Sequence, residues 1–258
     1  MFDPKSSFRG LVSIAAAGVL LGGLCASAVA APKSDAKPAA DVKAVTGMAV
    51  ATDGVGGKRE LRPGDSVYEG ETIHTADGAR VELKLVDNSD MYIRQRSEVK
   101  MQAYHMDPEG NEPGNAIVDL LTGGLRVVTG LIGKKPGDNY QVKTPTGTLG
   151  IRGTDYVLIV CETGDCILND FAPTTPYTPG VYTGTVFGAV TVENQAGRHS
   201  IPRDGVYKIE SANGDPQAIA NPPVFYSGNM PNAAPGVSCW RAGRMQPCPT
   251  EFEVSSRK

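Results

Sequence analysis

Through the middle of the chain, apolar and polar residues alternate with the period of a half-buried strand. In residues 79–85, Val81, Leu83 and Leu85 fall on one side, and Arg80, Glu82 and Lys84 fall on the other. Shorter segments of the same kind are predicted at 45–51, 67–69, 72–75, 91–94, 99–104, 117–121, 125–128 and 156–160. The pattern resumes over 181–192 and 197–209. Turn residues separate these segments: Asp53-Gly54 with Gly56-Gly57, Pro63-Gly64-Asp65, Asp87-Asn88-Ser89-Asp90, and a polar excursion over 107–115. No long helical period is present, so an all-β chain is expected. Brief strands in this cadence suit either a β-solenoid-like or a sandwich-like stack. Composition supports the same class, because 31 glycines, 19 prolines and 6% aromatic residues favour short strands and many turns.

The two ends of the chain read differently from the middle. Lys5 and Arg9 precede an apolar run from Leu11 to Leu24, and Ala28-Val29-Ala30 has the form of a processing site. Residues 1–30 are therefore expected to be a signal peptide, cleaved after Ala30, which places the mature chain in the periplasm or outside the cell. Retention as an anchor is the alternative, since the uncharged stretch is long enough to span a bilayer. No integral membrane span is expected once cleavage has occurred. Residues 31–44 lack periodicity and are expected to form a flexible leader. The β pattern occupies 45–209. Residues 210–258 are expected to be an irregular Pro-rich tail docked through Phe225, Tyr226 and Trp240.

Losing Asp3, Lys5 and Arg9 takes the formal net charge from −3 to −4. This mild acidity provides no electrostatic basis for binding nucleic acid or an anionic membrane. Four cysteines follow the leader, and an exported chain with an even count is expected to form disulfides. Proximity in sequence pairs Cys161 with Cys166 across a hairpin-like turn, and Cys239 with Cys248, although three connectivities are possible.

Few residues suggest chemistry. His74, His105 and His199 stand apart, with no ligand at zinc spacing, so neither a metal nor a cofactor is expected. Gly130-Leu131-Ile132-Gly133-Lys134-Lys135 departs from a phosphate loop, because Val128 replaces the first glycine and no Ser or Thr follows Lys134. Asp87-Asn88-Ser89-Asp90 does not continue into a calcium loop. No nucleophile elbow or zinc-protease motif is present, so the chain is not expected to be an enzyme.

The most distinctive stretch is 144–156, T-P-T-G-T-L-G-I-R-G-T-D-Y. Its glycines permit tight backbone, and a tight β-corner is predicted there, with Thr144, Pro145, Gly150, Arg152, Gly153 and Thr154 as structural residues. Arg152 is its one conspicuous charge. If the corner is buried, Arg152 is a latch to Asp155, Asp87 or Asp90; if it is open, Arg152 is a candidate anion-binding residue.

The order of Gly64-Asp65, Gly70-Glu71-x-Ile73-x-Thr75, Asp87-Asn88-Ser89, Gly123-Gly124, Thr144-Pro145 and Arg152-Gly153-Thr154, closed by the run from Gly184 to Asn194, resembles the FecR domain over about 45–207. The resemblance implies an extracytoplasmic, β-solenoid-like domain of the kind found in ferric-citrate-type transmembrane regulators and other exported proteins. Such regulators carry a cytoplasmic sigma-factor-binding region, whereas here nine residues precede the apolar segment, so that half of the signalling is not expected. The resulting expectation is a non-catalytic binding, sensing or adaptor module whose partner is an envelope or extracellular protein or a glycan. A structural part in a surface assembly is the alternative, and a hydrolase comes third.

Overall fold

The computed structural model describes residues 36–107, 114–135, 137, 139–162, 178–203, 205–219, 238–241 and 244–247. The chain is all-β, as its pattern predicts. In order, the strands are β1 Pro38–Thr46, β2 Ala49–Thr52, β3 Lys58–Glu60, β4 Ser66–Tyr68, β5 Thr72–Thr75, β6 Arg80–Leu85, β7 Asp90–Ile93, β8 Glu98–His105 and β9 Asn115–Val128. A single helical turn, α1 (Leu131–Lys134), precedes β10 Tyr140–Thr144, β11 Gly147–Cys161, β12 Gly180–Asn194, β13 Gly197–Ile201, β14 Val206–Ile209 and β15 Gln217–Ala218. These strands form one mixed sheet. Two more, β16 Ser238–Arg241 and β17 Arg244–Pro247, pair only with each other.

Three long strands hold the sheet together, because each changes neighbours halfway along. The first half of β9 pairs with β8 and runs parallel to β10, while its second half pairs with β7 and β11. Within β11, the first half pairs with β10 and the second with β9, and β12 follows it along both halves. The changeovers fall at Gly123, Gly153 and Gly188, with φ of +81°, +54° and +90°. At Gly188 the demand is also steric, since a Cβ would collide with the Gly153 carbonyl oxygen and lie 2.8 Å from the Thr154 Cα. Bends of this kind are how strands pass from one layer to another.

Inward residues from both sets of ladders form one core. It contains Val81, Leu83 and Leu85 of β6, Val99 and Met101 of β8, Val118 and Leu120 of β9, and Tyr156 and Leu158 of β11. Beyond the bend, β11 is buried on both faces. Tyr156, Leu158 and Val160 join the main core, while Val157, Ile159 and Cys161 form a second cluster with Tyr182 and Val206. Burial on both sides is why its sequence reads as a continuous apolar run rather than an alternation.

The structure corrects several expectations. Residues 38–44, assigned to a flexible leader, are part of β1. Ala39, Ala40 and Val42 are buried there because β1 lies between β4 and β6. The segments 117–121 and 125–128 are one strand, since Gly123-Gly124 bends the ladder without ending it. The part of the tail that is described contains strand, namely β15 and the β16–β17 hairpin. Apart from β9 with β10, the ladders among the described residues are antiparallel, and all but β16–β17 belong to one open mixed sheet. The signal-peptide assignment and the docking of Phe225 and Tyr226 lie outside the described residues, as do the side-chain contacts of Trp240.

Candidate functional site

The stretch 144–156 contains two separate features. The first is a hairpin turn: β10 passes through Pro145-Thr146 into β11, and the Thr144 hydroxyl donates to the Gly147 carbonyl at 2.8 Å. Gly150 sits under Thr191, whose Oγ1 would be 2.7 Å from any Cβ placed there. The second is the bend at Gly153. Thr154, fully buried, fastens it through its amide to Thr129 Oγ1 at 2.7 Å and through its hydroxyl to the carbonyls of Arg152 and Ala189 at 2.9 and 3.1 Å.

Arg152 is not the buried latch of this bend. It is exposed on the outward face, opposite Ala189. The buried arginine is Arg126 of β9, which donates from Nε to Asp155 Oδ1 at 3.0 Å and from Nη2 to Oδ2 at 2.7 Å. Both side chains are at least nine-tenths buried. Of the three carboxylates expected to take an arginine, Asp155 does so, but with a different partner. A lone arginine in the apolar run Leu125-Arg126-Val127-Val128 was the available signal.

Asp90 pairs with Lys84 at 2.8 Å, and Asp87 organises its own turn. Asp87 is fully buried and accepts from the Ser89 amide at 2.9 Å, the Tyr104 hydroxyl at 3.0 Å and the Ile132 amide at 3.2 Å. Ser89 Oγ in turn accepts from the Gly130 amide at 2.7 Å. The two motifs that resembled calcium and phosphate loops are therefore two halves of one internal clasp. Behind it, Tyr104, Tyr140 and Tyr156 stack edge to face, with ring centroids 6.0 and 6.4 Å apart. Burial pushes all three phenols well above their ordinary range. The Asp87 charge adds to the shift at Tyr104, and neighbouring tyrosines add to it at the other two.

Glu71 is likewise spent inside the fold. It holds Arg59 at 2.7 Å and accepts the Tyr68 amide at 2.9 Å, which ties the β3–β5 region together. The three histidines face different carboxylates: His74 Glu98 at 3.9 Å, His105 Glu69 at 2.8 Å, and His199 Asp215 at 3.5 Å. Among the described residues, no group of three His, Cys, Asp or Glu is placed to hold a metal ion. Cys161 is buried at the end of β11, and Cys166 and Cys248 lie outside the described residues, as does the side chain of Cys239.

On the outward face, Glu82, Tyr92 and Arg126 are consecutive cross-strand partners. Burial raises the Glu82 carboxyl, Asp90 raises it further, and Lys84 opposes both. The Tyr92 phenol is raised by burial and then by Glu82 and Asp90. A shallow depression lined by Ala44, Thr46, Arg80, Glu82 and Tyr92 opens beside this row.

A family model described as FecR protein matches residues 71–168, a shorter span than the 45–207 of the sequence resemblance. No curated protein matches the chain. Among solved structures, a cell surface anchoring domain is similar at 26% identity, over 28% of this chain and 97% of that one, with a TM-score of 0.26. Two crystal structures assigned as an anti-sigma factor from Parabacteroides distasonis are similar at 10% and 11% identity, with TM-scores of 0.41 and 0.43. Each alignment covers 57% of this chain and 58% of the other, so the chain spans little more than half of that protein's length. Among the described residues, no helix is long and apolar enough to cross a membrane.

Proposed function

With a FecR domain over residues 71–168 as the premise, we propose that the chain is an exported, non-catalytic module that acts by binding, as a sensor or adaptor in the periplasm or outside the cell. The observation carrying this reading is where the polar side chains of the matched span are spent. Glu71 is committed to Arg59, Asp87 to Tyr104 and backbone amides, and Arg126 to Asp155. These groups stabilise a scaffold and leave outward surfaces as the working parts. Export rests on the sequence features of residues 1–30. Disulfides joining Cys161 to Cys166 and Cys239 to Cys248 are part of the same proposal and suit that destination.

Cell fractionation, with sequencing of the mature N-terminus, tests the first half of the proposal. A soluble envelope or secreted protein beginning at Ala31 is expected, and a cytoplasmic, unprocessed chain would defeat it. Affinity capture from envelope extract tests the second half. Reproducible recovery of one protein or glycan partner supports a binding role, and its failure across growth conditions counts against one.

A further inference from the structure

After β14 the chain folds back over the hairpin that joins β12 to β13. Residues 211–214 make a tight turn, in which the Gly214 amide donates to the Ser211 carbonyl at 3.1 Å. Two hydrogen bonds seat this turn on the hairpin: the Gln195 amide donates to the Ala212 carbonyl at 2.9 Å, and Asn194 Nδ2 donates to the Gly214 carbonyl at 2.8 Å. Asp215 follows directly, and its Oδ1 lies 3.5 Å from Nε2 of His199 on β13. That nitrogen is buried and has no hydrogen-bond partner among the described residues, whereas the Asp215 side chain is 75% exposed. Such orphaned polar atoms are few in folded proteins, and catalytic duty is one of the reasons they persist. The next residue is Pro216, so the peptide bond that follows the carboxylate facing this imidazole is an Asp-Pro amide.

We propose that Asp215-Pro216 is a self-cleavage site, with the Asp215 carboxylate as nucleophile and His199 as proton donor. A carboxylate so close to its own backbone carbonyl attacks it intramolecularly, and the turn holds the two in place. One Asp215 carboxylate oxygen bonds to the Asp215 carbonyl carbon and closes a succinic anhydride. The bond from that carbon to the Pro216 nitrogen breaks, its electron pair goes to the nitrogen, and the His199 imidazolium supplies the proton. Water then opens the anhydride and returns a proton to His199. The sum is hydrolysis, giving a chain that ends in Asp215 and a fragment that begins with Pro216. Attacking oxygen and departing nitrogen are bonded to the same carbon as the ring closes, so a donor in contact with the carboxylate is also near the nitrogen. The event occurs once per molecule and is separate from the binding role. Among the described residues, the fragment from Pro216 onward then stays on the sheet through β15, which pairs with β14 only at Tyr207–Ala218 and Lys208–Gln217.

The test is incubation of the purified full mature chain in mildly acidic heavy-oxygen water, followed by mass spectrometry of the products. Two fragments meeting between Asp215 and Pro216 are expected, with one heavy oxygen in the fragment that ends at Asp215, at a first-order rate that dilution leaves unchanged. Asp107-Pro108 is the internal reference, an Asp-Pro bond of the same chain. It should cleave more slowly in the folded protein, and the two bonds should cleave alike in urea. His199→Gln should slow cleavage at Asp215 by about a hundredfold. Asp215→Ala should abolish it, and Asp215→Glu should slow it by at least about tenfold, because the longer side chain closes a larger ring. Asp215 is exposed, so these two variants keep the proposal falsifiable if His199→Gln melts early. No fragment pair at this bond, equal rates at the two Asp-Pro bonds of the folded chain, or an undiminished rate in His199→Gln or Asp215→Glu overturns the proposal. Cleavage that protease inhibitors suppress overturns it as well.

Discussion

Arg126 and Asp155 sit diagonally across the β9–β11 ladder, joined by two parallel hydrogen bonds of 3.0 and 2.7 Å, with both side chains withdrawn from solvent. Removing one partner of such a pair strands the other charge in a dry site, which typically costs ~3–5 kcal/mol. Arg126→Ala and Asp155→Ala should each lose about that much in urea unfolding, with little further loss in the double variant. Arg152→Ala, at an exposed position, should stay within about 0.5 kcal/mol of the parent. A large loss at Arg152 would reverse this assignment.

The bend at Gly188 makes a second prediction. Any side chain there must adopt positive φ and also displace the Gly153 carbonyl. Gly188→Ala should therefore cost more than the ~1 kcal/mol of the backbone term alone. Gly56 also has positive φ, but it has open space around it. Gly56→Ala should show the backbone term only, and equal losses at the two sites in thermal unfolding would refute the steric account.

The buried tyrosines predict alkaline sensitivity. Their folded-state phenols titrate above the unfolded value of about 10, so the folded chain holds more protons than the unfolded one once pH passes that value. The stabilisation is fully present below pH ~10 and is lost as pH rises from there towards the folded values. Absorbance at 295 nm should show these phenols ionising together with unfolding. Independent ionisation in a chain that remains folded would contradict their burial.

Thr183 and Thr185 on β12 are buried, and their hydroxyls have no hydrogen-bond partner among the described residues. Valine keeps the shape and removes the desolvated hydroxyl, so Thr183→Val and Thr185→Val should raise stability by about 1 kcal/mol each. Destabilisation of that size in denaturant titrations would mean that both hydroxyls are satisfied.

The legibility of this chain in its sequence differs from element to element. β6 was readable because one face is wet and one is dry, and period 2 follows directly from that. β1 was not readable, because small alanines carry its buried face and the neighbours that bury them come from β4 and β6. At the candidate site, turn chemistry suggested a single tight corner over 144–156, whereas the hairpin turn after Thr144 and the bend at Gly153 are separate, joined by strand that the glycines concealed. Arg152 was singled out and Arg126 passed over, although both are lone arginines in apolar runs. Which of the two is buried depends on strands far away in sequence.

The sequence by itself determined the strand class, the turns, the order of motifs resembling a FecR domain and the glycines that permit sharp bends. All of these follow from side-chain period and local backbone freedom, which act over a few residues. Only the tertiary structure decided that 117–121 and 125–128 are one bent strand, that Asp87 clasps the Gly130 segment, and that Arg126 rather than Arg152 holds Asp155. The physical reason is that burial and ion pairing are properties of neighbours brought together by strand register, and the register of β9 against β11 relates residues nearly thirty positions apart.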